Sequence, residues 1–211
     1  MRSRTGSSVA ERKRQLVADE LRDAALMLLA TKGIDAVTVD DIVAAAGMSR
    51  RTFFRYFASK EDVVVRFLAD MGTDVVAELA ARSRTEPPSV ALRHAVWVPI
   101  AACTDRPDQT ERARVVTRLI LDTPALQARW LEHQIQWRDG LAAELAARCG
   151  LDPDTDPYPQ MAAGMALLAL DTVLRRWQAG DDEQRLAELT DRAFAVAAPA
   201  LNAPTGSNDA G

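Results

Sequence analysis

Between Arg50 and Lys60 the chain sets Arg50, Arg51, Thr52 and Arg55 among the rings of Phe53, Phe54, Tyr56 and Phe57. Wound into a helix, this mixture puts guanidinium and hydroxyl donors on one side and anchoring rings on the other, which is equipment for phosphates and base edges of duplex DNA. Each arginine there can fork to a base or only hold a phosphate, and both readings stay open. At least two of Phe53, Phe54 and Phe57 are expected to pack the small domain that carries them. A second set lies further on, where Leu126, Trp130, His133, Gln134, Trp137 and Leu141 share one stripe by three-and-four spacing. His133 and Gln134 are either hydrogen-bonded inside a core or the few polar groups that orient a ligand among apolar walls. His94, Trp97, Val116, Ile120 and Met165 are candidates to line the same space.

The elements that must hold the first set are readable from local chemistry. Thr38 can cap a helix while Asp41, three residues on, returns a bond to the cap backbone, and Ile42, Val43 and Ala46 supply the apolar side. Gly47 suits the left-handed conformation that ends a helix, and Ser49 can cap the next one. Two short helices joined by a tight turn make a helix-turn-helix, the second carrying the arginines. A helix over about residues 12–31, with Leu16, Leu21, Ala24, Ala25, Leu28 and Leu29 at helical spacing, precedes them and closes at Lys32-Gly33. Ser59-Lys60-Glu61-Asp62 repeats the Ser-x-x-acid pattern and opens a longer helix with Val64, Leu68, Met71, Val75 and Leu79 on one side, ending before Pro87-Pro88. Further helices are expected at about 89–104, 108–121, 124–149, 158–179 and 182–201, divided by prolines and by Gly150 and Gly180.

The composition bounds the rest. At 211 residues and 48% hydrophobic content the chain can bury an ordinary core, and without alternating strand-like runs it reads as all-α. The net charge of -4 hides an asymmetry: residues 1–60 hold eleven Lys+Arg against seven Asp+Glu, a balance of +4, and the remainder fifteen against twenty-three, a balance of -8. A basic head on an acidic body is what DNA contact requires, so overall acidity does not exclude DNA. The longest strongly apolar run, residues 161–170, is about half of a membrane span, and the first residues form no apolar signal core, so a cytoplasmic protein without a membrane partner is expected. Cys103 and Cys149 have no metal-like spacing and read as free thiols. With His94 and His133 as the only histidines, and no nucleophile paired with a base, no phosphate loop and no acid pair, neither a metal site, a cofactor nor an enzyme is expected.

The run Thr38-Val39-x-x-Ile42-x-x-x-Ala46-Gly47-Met48-Ser49, then Thr52-Phe53-Phe54-x-Tyr56-Phe57-x-Ser59-Lys60-Glu61, resembles the DNA-binding motif of TetR-family transcriptional regulators. Arg51, Phe53 and Phe54 stand where many members have Gly, Leu and Tyr, and Phe54 lacks a hydroxyl that often reaches a phosphate. The resemblance implies that the second helix enters the major groove, with Thr38, Ser49, Arg50, Arg51, Thr52, Arg55, Tyr56 and Lys60 as DNA-binding residues. The later half resembles, less specifically, the ligand-binding domain of acyl-CoA-like members, including mycofactocin-associated regulators. Its carriers are Leu119-Ile120-Leu121-Asp122-Thr123-Pro124-Ala125-Leu126-x-Ala128-Arg129, Trp137-x-x-Gly140-Leu141-Ala142 and Leu174-Arg175-Arg176-Trp177.

The expected organisation is a flexible basic arm at 1–11, a helix-turn-helix domain at 12–58, a ligand-binding and dimerisation domain at 59–201 and a disordered tail at 202–211. The resemblance further implies a homodimer made through the last two helices. Their apolar sides are Met161, Met165, Leu168, Ala169, Thr172 and Trp177, then Leu186, Leu189, Phe194 and Val196, with small Ala162, Gly164 and Ala166 permitting close approach. The expected function is a repressor released from operator DNA by an apolar small molecule such as an acyl-CoA, with Arg93, Arg118, Arg138, Arg175 and Arg176 as a candidate basic rim. An aromatic or multidrug-like effector is the alternative, and a regulator answering to a protein partner another.

Overall fold

The computed structural model describes residues 9–102, 104, 107–180 and 185–202. Residues 1–8 of the expected arm at 1–11, Cys103, the expected start of the last helix at 182 and residues 203–211 of the expected tail lie outside them; residues 9–11 are helical rather than a flexible arm, and Asn202 accepts the Ser89 N–H at 3.0 Å. All regular elements among the described residues are helices. The described residues up to Phe67 form one compact unit and those from Leu68 another.

The first unit contains α1 (Val9–Lys32), α2 (Val39–Ala45), α3 (Arg50–Tyr56) and the opening turns of α4 (Lys60–Ala81). Its short helices are held by the expected caps. Thr38 accepts the Asp41 N–H at 3.2 Å, and the Asp41 carboxylate accepts the Thr38 N–H at 2.8 Å and its hydroxyl at 2.6 Å. These bonds, the hydroxyl's first, hold the Asp41 carboxyl below its ordinary range. Gly47 follows α2 at φ 63°, a left-handed turn that any side chain would strain. Ser49 then accepts the Thr52 N–H at 3.1 Å and starts α3. At the head of α4, Ser59 accepts the Asp62 N–H at 3.2 Å, while the Asp62 carboxylate reaches back one residue further than expected, to the Ala58 N–H at 2.8 Å.

Leu21, Ala25, Leu29, Val37, Ile42, Phe53, Phe57, Val63 and Val64 form the core of this unit. Phe53 is its central ring, 5.6 Å from the Phe57 ring centroid. Leu16, which shares the helical spacing of Leu21 and Leu29, is 69% exposed, as residues 11–16 are all solvent-facing, while Leu26 is buried.

The second unit contains the rest of α4, then α5 (Pro88–Ala102), α6 (Pro107–Asp122), α7 (Pro124–Cys149), α8 (Tyr158–Ala179) and α9 (Arg185–Leu201). The bounds of α7 and α8 coincide with the expected ones, since Pro124 opens α7 and Gly150, at φ 68°, closes it. Helix α8 is central: it packs against α7 and α9, with α5 on α9 and α8, and α6 on α7 and α8. The Tyr158 hydroxyl donates to the Leu201 carbonyl at 2.6 Å and so ties the start of α8 to the end of α9. Burial pushes this phenol up to about 12, which keeps it a donor. The Arg148 guanidinium donates to the carbonyls of Arg82, Ser83 and Glu86, which holds the connection after α4 against the end of α7. Within that connection Arg82 bonds the Glu86 carboxylate and keeps it below its usual range.

Helix α7 approaches α4 at two glycines. A Cβ placed on Gly72 would lie 1.9 Å from Trp137 Nε1, and one on Gly140 would lie 2.8 Å from a Val76 methyl. Contacts that close cannot be relieved by rotating a planar indole in a packed interior. Gly72→Ala is therefore expected to destabilise the protein by about 1–3 kcal/mol despite alanine's better helix propensity. Urea denaturation followed by circular dichroism checks this; an unchanged or raised midpoint would show that α4 and α7 are not in fixed contact.

Candidate functional site

Helix α3 is amphipathic in the sense its residues require. Phe53 is fully buried and Phe57 5% exposed, while Phe54 is half exposed, so two of the three rings are core and one faces solvent. Arg50, Arg51 and Arg55 are all exposed on α3. They are not equally committed. Arg50 donates through Nη1 to both oxygens of Asp40, at 3.1 and 2.9 Å, and lies over the Phe54 ring. Arg55 lies 4.9 Å from the centroid of the Tyr56 ring and donates to its hydroxyl at 3.2 Å. Arg51 has no partner among the described residues. Exposed pairs such as Arg50 with Asp40 contribute little stability and exchange readily for another anion, so both arginines stay available to a ligand.

The hydroxyls and the lysine are already occupied. Thr38 and Ser49 are caps, and the Ser49 and Thr52 hydroxyls lie 2.9 Å apart. Lys60 Nζ is half-buried and donates to the carbonyls of Ile34 and Val37, the latter at 2.8 Å, so it closes the segment between α1 and α2. This second duty of Lys60, and the Asp40 partner of Arg50, were missed in the sequence. Charge at the start of α2 was the only signal for Asp40, and no local signal pointed to the Ile34 and Val37 carbonyls.

In the second unit Leu126, Trp130, His133, Trp137 and Leu141 are buried along α7, with Gln134 half-buried beside them. Trp130 and Trp137 meet edge to face, 5.1 Å between centroids. The Trp130 N–H donates to Asp171 of α8 at 3.1 Å. The other polar atoms of the stripe, His133 Nδ1, Gln134 Nε2 and Trp137 Nε1, are buried without a hydrogen-bond partner among the described residues. Gly72 of α4 lies against the Trp137 N–H, since a Cβ there would stand 1.9 Å from it.

Val116 and Ile120 are buried on α6 and Met165 is half-buried on α8. His94 and Trp97 are half-buried on α5, which packs chiefly against α8 and α9. Of the expected basic rim, Arg93 pairs with Asp191, Arg138 with Asp139 and Arg175 with Asp171, leaving Arg118 and Arg176 exposed. Asp122 is held by the Gln178 amide at 3.0 Å. On the last two helices Trp177, Leu186 and Phe194 belong to the core, and the apolar side chains left at the surface are Met161, Leu168 and Val196. Among the described residues no group of His, Cys, Asp or Glu is arranged to hold a metal, and no helix is long and apolar enough to cross a membrane. Cys149 carries a free thiol.

A capped helix-turn-helix with an arginine face, followed by six helices, is the arrangement of a DNA-binding regulator. Residues 21–67 match the family model described as bacterial regulatory proteins, tetR family, and residues 86–202 match the MftR C-terminal domain. The chain belongs to the TetR family of transcriptional regulators and is not an enzyme; members act as dimers on operator DNA and answer to small molecules. It is 35% identical to MftR of Mycobacterium tuberculosis, provisionally designated a mycofactocin biosynthesis transcriptional regulator, over 90% of this chain and 94% of that one. Two solved structures share the fold. The regulator FadR from Bacillus subtilis, in complex with stearoyl-CoA, superposes with a TM-score of 0.64 at 19% identity, covering 86% of this chain and 98% of its own. SmeT, repressor of the Stenotrophomonas maltophilia multidrug efflux pump SmeDEF, gives 0.58 at 20% identity, covering 87% and 91%.

The occupation of Lys60 makes one expectation specific. Lys60→Met strands two carbonyls in the segment between α1 and α2 and should lower stability by about 1–3 kcal/mol in the absence of DNA. Chemical denaturation of the DNA-free protein measures it. A variant as stable as wild type would return Lys60 to a purely DNA-contacting role.

Proposed function

We propose that this regulator is a cytoplasmic repressor in which the helix-turn-helix unit, up to Phe67, is a head that holds the operator, and the unit from Leu68 is a body that binds an acyl-CoA-like effector that releases it. The observation that carries the effector reading is the pair of buried, unpartnered atoms His133 Nδ1 and Gln134 Nε2 on an otherwise apolar stripe. A buried polar group without a partner costs about 1–3 kcal/mol, and a carbonyl or thioester of a ligand relieves that cost. The stearoyl-CoA bound by the structurally similar FadR supports the same class. The edge-to-face pair of Trp130 and Trp137 favours a second reading, a planar aromatic effector.

In the head Arg51 is the first candidate for base contact because no group among the described residues competes for it. Arg50 joins it by leaving Asp40. Arg55, Tyr56, Thr52, Thr38 and Ser49 hold or line the phosphate backbone, and Lys60 sets the position of the segment before α2. Release requires that the effector bind more tightly to the dimer state of low operator affinity, since equal binding to both states shifts nothing.

Two outcomes test this reading. Arg51→Ala should cost roughly 1–3 kcal/mol of operator affinity and relax preference at one base position per half-site, whereas loss of a phosphate contact weakens all sequences alike. Gel shift on the promoter beside the protein's own gene measures both; binding no better than to random duplex would sink the operator assignment. Acyl-CoAs of increasing chain length should release the bound operator, with the response weakened by His133→Phe. Release by planar aromatic compounds alone would decide for the second reading.

A further inference from the structure

Arg114, on α6, is only 9% exposed, and its guanidinium carbon lies 5.4 Å from the centroid of the Trp177 ring on α8. Its Nε and Nη2 are buried with no hydrogen-bond partner among the described residues, and so is Trp177 Nε1. The two unpartnered nitrogens are not an arbitrary pair. Planarity of the guanidinium points the Nε–H and one Nη2–H the same way, so together they form the side-on edge of the fork that matches two oxygens of one oxyanion. Among the described residues of α6 and α8, Asp171 binds Arg175 and Trp130, Asp122 binds Gln178, and Glu111, one turn before Arg114, is exposed. One and two turns before Trp177 on the same helix, Leu170, Val173 and Leu174 are buried and apolar.

A buried cation with an idle bidentate edge is strongly unfavourable in a resting protein, and native interiors leave such groups unpaired only rarely. Packing does not call for it either, because a methionine would fill the stem's volume with no polar atom to satisfy. We infer that the Arg114 edge, its guanidinium lying over the Trp177 ring, is a binding point for the oxyanion head of an amphiphilic ligand, a carboxylate or a phosphate, whose apolar part lies along α8. The inference deepens the effector reading, and rests on it for the regulatory consequence but not for the binding. Sequence spacing gave no sign of this site, since Arg114 reads as one more surface arginine of a helix rich in polar residues.

The test uses the full-length protein and three probes of one chain length: decanoate, decyl phosphate and 1-decanol. Calorimetry on wild type should show at least one oxyanion binding roughly ten- to hundredfold more tightly than the alcohol, the worth of a hydrogen-bonded charge pair. Decanoate preferred over decyl phosphate assigns a carboxylate, and the reverse a phosphate. Arg114→Met should erase the preference while the unliganded variant melts no lower than wild type, and Arg114→Lys should restore it only in part because an ammonium has no fork. Three results would overturn the site: neither oxyanion binds, decanol binds wild type as well as they do, or Arg114→Met keeps the preference. A lower melting temperature for Arg114→Met would overturn it as well, by making the cation structural. Operator release is read in parallel. An oxyanion that binds through Arg114 and leaves the operator bound keeps the inference and removes the effector reading; release by a neutral ligand, equal in wild type and Arg114→Met, does the opposite.

Discussion

The structure depends on one constraint, that a donor taken out of water must find an acceptor inside the protein. Much of the architecture is the constraint obeyed. Lys60 reaches two carbonyls between α1 and α2, and Arg148 reaches three carbonyls beyond α4. The Trp130 N–H finds Asp171 and the Tyr158 hydroxyl finds Leu201. Each of these bonds joins stretches of chain far apart in sequence, so each also sets a relation between helices that apolar contact alone would leave loose. The exceptions among the described residues are on three helices of the second unit: Arg114 on α6, His133, Gln134, Trp137 and the Nε of Arg148 on α7, and Trp177 on α8.

The legible part of the fold was the part written in local chemistry. Thr38 with Asp41, Gly47 and Ser49 are separated by three residues or fewer from the groups they bond or the turns they make, and these caps appear as expected. Pro124 and Gly150 delimit α7 for the same reason. The apolar stripe on α7 was legible too, because helical spacing alone puts Trp130, His133 and Trp137 on one side.

What escaped the sequence depends on distant partners. The carbonyls that hold Lys60 lie 23 and 26 residues away, and a carbonyl carries no residue-specific signature. Leu16 has helical spacing but faces solvent, and Phe194 has the look of an interface residue yet lies in the core. Gly72 and Gly140 read as weak points in two helices, whereas each marks a close approach between α4 and α7. Arg114 is the extreme case, because type and spacing both suggest a solvated side chain, and only the placement of α8 over it reveals a buried cation.

The brevity of α3 limits how much its head can know. Its seven residues, held between the Ser49 cap and an extended Phe57, rise about 10 Å, which is the length of about three base-pair steps. On the proposed reading each head inspects only that many letters, and two heads together distinguish one site in roughly four thousand against at least about a million competitors in a genome. The missing information cannot come from more side chains on so short a helix. It has to be carried by the fixed distance between half-sites and by how readily the intervening duplex bends, so the address this protein recognises is written partly in the mechanics of the DNA.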